Sequence, residues 1–228
     1  VTIRSAIATL SSVEEMDAFR TAVRTCAAKG GGDSPAAGQV RELIDSGLVN
    51  TVVLVEGVSD RGAVEALAAR RGRDLESEGV CVLPIGGAMG IGRFMRLLGT
   101  QGLGLRVRGL CDEAEEGYVQ RGLEQLGHGT GLSRAAMESL GFYVCVCDLE
   151  DELIRALGVA GVERVLDAEK DLARFRLFQN QPAQRGRTVE RQLRRFMGTT
   201  SGRKARYARA LTRALDADRV PWPLDQVA

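Results

Sequence analysis

The chain predicts an α/β fold: a mainly parallel four-stranded sheet flanked by helices, followed by a C-terminal helical region. Three observations carry this expectation. Short apolar runs recur near 51–55, 80–85, 105–111 and 142–147, and each breaks at glycine or acid before helical spacing resumes. Runs as uniformly apolar as Val52 to Val55 suit parallel strands covered on both faces. From Gly161 onward only helical spacing appears.

The 228 residues suffice for one generous domain or a domain with helical additions. The formal net charge is +1, so a nucleic-acid role must rest on local charge segregation and not on bulk basicity. Of the five cysteines, Cys81, Cys111, Cys145 and Cys147 lie in or beside strand-like runs, and all five, Cys26 included, read as reduced and structural. Cys145 and Cys147 alternate on one strand face, with neither disulfide geometry nor zinc spacing. The single histidine, His128, sits in a Gly-rich loop. No apolar run approaches the ~20 residues of a membrane span, and no signal-peptide pattern opens the chain, so a cytoplasmic protein without a membrane partner is expected. Because the first residue is Val1, upstream sequence is left open.

Ser12 to Ala28 places Met16, Phe19, Val23 and Cys26 near helical spacing, with Ser12 and Glu15 as a candidate capping box. Lys29 to Ala37 reads as a linker and Ala37 to Leu48 as a short helix, so residues 1–49 form a helical lead-in. The core, residues 50–160, begins with TVVLVEGVSD. Here Gly57 permits a tight exit from the strand, and Ser59 or Asp60 caps the helix carrying Ala63, Val64, Leu67 and Ala68. Ligands of open α/β sheets gather at the carboxyl ends of strands, which makes Glu56 a candidate site residue.

The second strand, Val80 to Ile85, ends in GGAMGIGR, a tight turn or a weak phosphate cradle that lacks the P-loop ending. The third strand ends at Asp112, and Glu113, Glu115 and Glu116 open a helix reaching about Leu126. The fourth ends at Asp148, and Glu150, Asp151 and Glu152 open another. Carboxylates favour helix N-termini on dipole grounds alone, but their return after three strands points to one acidic edge. Oxygen ligands without histidine or cysteine suit Mg²⁺ or Mn²⁺ and not zinc.

Residues 161–228 form the C-terminal region, with helices expected at 161–178, 187–197 and 201–215. Between Asn180 and Leu215 there are ten basic residues and one acid, Glu190. Arg187, Arg191, Arg194 and Arg195 fall on one helical side, and Arg206, Arg209 and Arg213 make another row on the next helix, a pattern in which Arg187, Arg191, Arg194, Arg203 and Arg206 suit nucleic-acid phosphates. Lys204 shares a face with Ala208, Leu211 and Leu215 and is expected to point inward, where a compact cation or proton donor would act.

Glu56-Gly57 after an apolar strand, with Asp112 ending a later one, resembles the Toprim domain of topoisomerases, primases and nucleases. VLVEGVSDRGAVEALA, the GG turn, DLEDELIRAL and the late Arg-Lys helix are similar to the overcoming-lysogenisation-defect (OLD) branch, over roughly residues 50 to 225. The resemblance implies a Rossmann-like Toprim fold and a DNA endonuclease using two Mg²⁺ or Mn²⁺ ions. Glu56 and Asp60 would be metal ligands, and Asp112 matches the first acid of the DxD pattern. Ala114 occupies the second position, so Glu115 or Glu116 substitutes, or Asp148 and Glu150 complete the second metal site. Lys204 matches the branch's late lysine by context.

That family usually fuses its nuclease to an ATPase. These residues hold no Walker motif, which implies a stand-alone nuclease or a separate ATPase subunit as partner. The alternative is a non-catalytic Toprim scaffold that binds nucleic acid or such an ATPase. A primase or topoisomerase core is disfavoured, because Tyr118, Tyr143 and Tyr207 fall where packing explains them.

Overall fold

The computed structural model describes residues 3–28, 35–200 and 202–228. Its four strands are β1 (Thr51–Val55), β2 (Val80–Pro84), β3 (Arg106–Asp112) and β4 (Phe142–Cys145). The helices are α1 (Ile3–Ala28), α2 (Pro35–Asp45), α3 (Val58–Arg70), α4 (Ile91–Leu98), α5 (Glu116–Gln125) and α6 (Arg134–Ser139), then α7 (Leu149–Ala168), α8 (Leu172–Gln179), α9 (Val189–Met197), α10 (Arg203–Ala214) and α11 (Trp222–Val227). The strands are parallel in the order β2-β1-β3-β4.

This order sets where a ligand can sit. From β1 the chain steps out through α3 to β2, then returns past β1 through α4 to reach β3 on the other side. The reversal opens a crevice at the carboxyl ends of β1 and β3, the switch point where open α/β sheets bind ligands. Both central strands end there on an acid, Glu56 just beyond β1 and Asp112 as the last residue of β3.

Alternation along the strands splits the core into two layers. Val53, Val55, Val82, Leu110, Tyr143 and Cys145 pack with α3 and the C-terminal helices. Val52, Leu54, Cys81, Leu83, Cys111, Phe142 and Val144 pack on the opposite face with α1, α2, α4, α5 and α6. Met16, Phe19 and Val23 of α1 are fully buried in that second layer, each contributing on the order of 1.5–3 kcal/mol relative to exposure.

β2 is an edge strand, and α1 covers its outward carbonyls. Arg20 Nε donates to Val82 O at 3.1 Å and Arg24 Nε to Pro84 O at 3.0 Å. Pro84 has no N–H to offer a further strand. Together these devices suppress edge-to-edge pairing.

Several local expectations are corrected. Helix α1 is already running at Ser12, so that residue is not an N-cap, and the expected linker lies largely at 29–34, outside the described residues. At Gly57 φ is −137°, and an added Cβ would meet nothing nearer than 3.7 Å, so no steric need for glycine exists there. Gly57 is itself the N-cap of α3, while Ser59 and Asp60 lie within the helix. The single helix expected over 161–178 is two. The left-handed Lys170 (φ 59°) separates α7 from α8, and α7 itself kinks at Gly158 (φ 68°). Ser201 lies outside the described residues, and α10 begins at Arg203.

β4 stops at Cys145, two residues earlier than expected, because the amides of Val146 and Cys147 turn to the carboxylates of Glu152 (2.8 Å) and Glu113 (3.4 Å). Cys147 is therefore exposed with φ 68° and does not alternate with buried Cys145 on a strand. All five cysteines are free thiols. α6 lies in a stretch where sequence pattern predicts no element. Ser133 caps it by accepting from the Ala136 amide at 3.2 Å.

Candidate acidic site and arginine face

Each candidate carboxylate is delivered by a strand end or by the first turn of the helix that follows. Asp112 lies in register with Cys145, so its side chain points to the face covered by α3, α7 and α10. Asp60, in the first turn of α3, turns back to accept from the Gly57 amide at 2.8 Å. Asp148 is the N-cap of α7 and accepts from the Asp151 amide at 2.8 Å. Glu150, in the first turn of α7, is only 2% exposed.

These groups feel one another. Burial first, then Asp60, Asp148, Glu150 and Glu56, push the Asp112 carboxyl up to about 7. Glu150 is likewise pushed up to about 7 by burial, against the pull of Lys204 and with Asp60 and Asp148 adding to the rise. Asp60 is raised by burial although the Gly57 amide and Lys204 oppose it, and Glu56 adds to the rise. Self-repulsion of this kind marks a surplus of negative charge at one place.

Lys204 brings the balancing cation. Its Nζ lies 3.1 Å from Glu150 Oε2, and although burial works against its charge, Glu150, Asp60 and Asp112 hold its pKa above the ordinary lysine value. The side chain is 48% exposed. Lys204 therefore stands at the rim of the acidic site, and the inward burial expected from helical spacing is corrected to a half-exposed reach toward α7.

The acids after β3 part company. Glu115 is raised by burial and then by neighbouring Glu56, against an amide of Ala88 in the Gly-rich turn, and its Oε2 is buried without a hydrogen-bond partner. That turn therefore faces a carboxylate of its own chain. Glu113 and Glu116 are instead gripped by Arg134 of α6, at 2.8 and 2.6 Å. No local signal separates Glu115 from Glu116, because α6 lies 18 residues further on.

The donor set is all oxygen, as a hard divalent cation requires. Glu150 Oε1 and Glu115 Oε2 are buried acceptors with no hydrogen-bond partner, the kind of atom a cation would satisfy. The arrangement is less complete than the chemistry. Among the described residues no group of three His, Cys, Asp or Glu side chains converges closely enough to hold a metal ion. Each acid has a protein partner instead: Asp60 is turned to Gly57, Glu150 to Lys204, and Asp148 to Asp151 and Arg194.

The basic helices divide into two groups. Arg187, Arg191, Arg194 and Arg195 line a depression of about 720 Å³ with Gly198 and Thr199. Arg203 and Arg206 turn instead to the buried Asp171. Asp171 also accepts from Tyr207 at 2.8 Å and Arg174 at 2.8 Å, and despite its burial these partners hold its carboxyl below the ordinary range. Arg203 also lies over the Phe196 ring at 4.4 Å. With Arg174, Thr200 and Gly202, this pair borders a second depression of about 350 Å³. The sequence did not single out Asp171, since its partners stand up to 36 residues away.

Comparison with known proteins bears on this geometry. The family described as "Overcoming lysogenization defect protein-like, TOPRIM domain" matches residues 48–113, from just before β1 through Asp112. Among solved structures, the C-terminal region of the Xanthomonas campestris pv. campestris OLD protein is similar at 25% identity and a TM-score of 0.59, covering 80% of this chain and 92% of that one. The C-terminal region of the Burkholderia pseudomallei OLD protein shares the fold at 22% identity and a TM-score of 0.57, covering 78% and 94%. No curated protein sequence matches. No helix among the described residues is long and apolar enough to cross a membrane.

Proposed function

Because this chain carries a Toprim domain homologous to the C-terminal Toprim region of OLD proteins, we propose that it is a divalent-metal-dependent endonuclease hydrolysing DNA phosphodiester bonds. The observation that carries the reading is the mutually repelling carboxylate set at the switch point between β1 and β3, with Lys204 at its rim. Glu56, Asp60, Asp112, Asp148 and Glu150 would hold Mg²⁺ or Mn²⁺, and Glu115 joins them through its coupling to Glu56. Two such ions would supply an activated water and charge stabilisation for the leaving oxygen of a phosphodiester.

The protein's own groups supply the rest. Lys204 carries a proton and a positive charge beside Glu150, suited to a leaving oxygen or to the charge that builds on phosphorus. Arg187 and Arg191 make no ion pair among the described residues and would hold backbone phosphates. Arg203 and Arg206 would meet a further phosphate at the second depression while Asp171 keeps them in place. Plasmid nicking in Mg²⁺ or Mn²⁺ tests the proposal: wild type nicks, Glu56→Ala and Lys204→Ala do not, and an intact plasmid with every metal sinks it.

A second reading has its own support. Ala114 in place of the second DxD acid, together with carboxylates turned to protein partners, suits a non-catalytic scaffold that binds nucleic acid or a partner ATPase. That scaffold would bind DNA equally well after Glu56→Ala and would cleave under no metal.

A further inference from the structure

Arg194 is claimed twice. It belongs to the arginine-lined depression, yet its Nε donates to Asp148 Oδ2 at 2.6 Å and a second guanidinium nitrogen reaches the same oxygen. Arg187, Arg191 and Arg195 beside it form no ion pair with an acid among the described residues. Asp148 is equally committed, since its Oδ1 takes the Asp151 amide at 2.8 Å. Both of its oxygens thereby have protein partners, and among the described residues no group of three such side chains converges on a metal position. The Asp148 carboxylate is 11% exposed and the Arg194 side chain 43%, so the guanidinium is the partner free to swing outward.

We infer that Arg194 is a positioning residue that couples nucleic-acid binding to completion of the cation site. The inference rests on the nuclease reading. A phosphate seated among Arg187, Arg191 and Arg195 draws the Arg194 guanidinium off Asp148, because a second anion competes for the same donors. Asp148 Oδ2 then becomes available to a divalent cation. The converse holds by linkage: a cation taking Asp148 frees Arg194 for phosphate, so each ligand strengthens the other by the same factor. With the site empty of both, the ion pair keeps Asp148 neutralised and the hydrolytic centre incomplete.

Two measurements that read no cleavage test this. Mn²⁺ is titrated into Arg194→Gln and wild type without nucleic acid, following the electron paramagnetic resonance of free Mn²⁺. A 20-base-pair duplex is titrated into Asp148→Asn and wild type in EDTA, where asparagine preserves the N-cap and circular dichroism checks folding. Arg194→Gln should bind Mn²⁺ more tightly, and Asp148→Asn should bind the duplex more tightly, each by about 5- to 150-fold, the usual span of coupling between sites. A merely structural Arg194 would leave Mn²⁺ affinity unchanged or lower it, and either result overturns the inference. Unchanged affinities with wild-type nicking intact would remove the coupling and leave the nuclease reading standing. Absence of both Mn²⁺ binding and nicking in every variant would remove both.

Discussion

Lys204 Nζ lies 3.1 Å from Glu150 Oε2, and it joins the first turn of α10 to the first turn of α7 across the mouth of the acidic site. One cation there answers to three carboxylates, since Asp60 and Asp112 also raise its pKa.

Removing that cation should be costly to chemistry. Lys204→Met is expected to lower the metal-dependent nicking rate by about 10²–10³-fold, the range for losing one preorganised electrostatic or proton-donating group. Because the side chain is half exposed, the thermal midpoint should stay close to wild type. A rate within threefold of wild type would remove Lys204 from the mechanism.

Glu115 and Glu116 are adjacent in sequence and unlike in surroundings. Glu115→Gln should depress nicking and weaken Mn²⁺ binding, since the half-buried Glu115 lies beside Glu56 with its Oε2 enclosed and unpartnered. Glu116→Gln loses only its ion pair with the half-exposed Arg134, worth about 0–1 kcal/mol, and should leave both readouts unchanged. Equal effects of the two substitutions would contradict this division of labour.

The acidic site also predicts a pH dependence of stability in EDTA. Asp112 and Glu150 have folded-state values near 7, above the values near 4 of unfolded carboxyls, so the folded state binds more protons between those limits. Their contribution is fully present below about pH 4 and is lost as pH rises through about 7. Urea unfolding at pH 5 and pH 7.5 should therefore show a larger loss of stability in wild type than in Asp112→Asn. The same slope in both proteins would show that Asp112 does not titrate in this window.

Arg20 offers a test remote from the site. It is 2% exposed and donates to Val82 O, Asp17 and Glu76, tying α1 to the edge strand β2. Arg20→Met keeps the apolar stem and leaves these acceptors without their cation. It should cost about 3 kcal/mol in urea unfolding and raise the tendency to aggregate as the β2 edge is uncovered. Wild-type stability would mean that α1 docks without help from Arg20.

Much of the architecture was legible in one dimension. A strand buried on both faces must be apolar throughout, so TVVLV, VCVLP and FYVC declare themselves without knowledge of their neighbours. Helices following strand-end acids were equally readable, because helical periodicity and the preference of carboxylates for N-termini are local effects. Gly158 and Lys170 were not, since a left-handed residue inside a helical pattern leaves no periodic trace.

The sequence by itself determined that acids collect at the carboxyl ends of strands and that arginines collect toward the C-terminus. Only the tertiary structure decided which of these charges meet. Arg194 reaches Asp148 across 46 residues, Arg134 takes Glu116 and leaves Glu115 to Glu56, and Asp171 draws in Arg203 and Arg206. The physical reason is that periodicity reports only whether a residue faces inward. An ion pair depends on the distance between two helices docked on the same sheet, and no pattern within either helix encodes it.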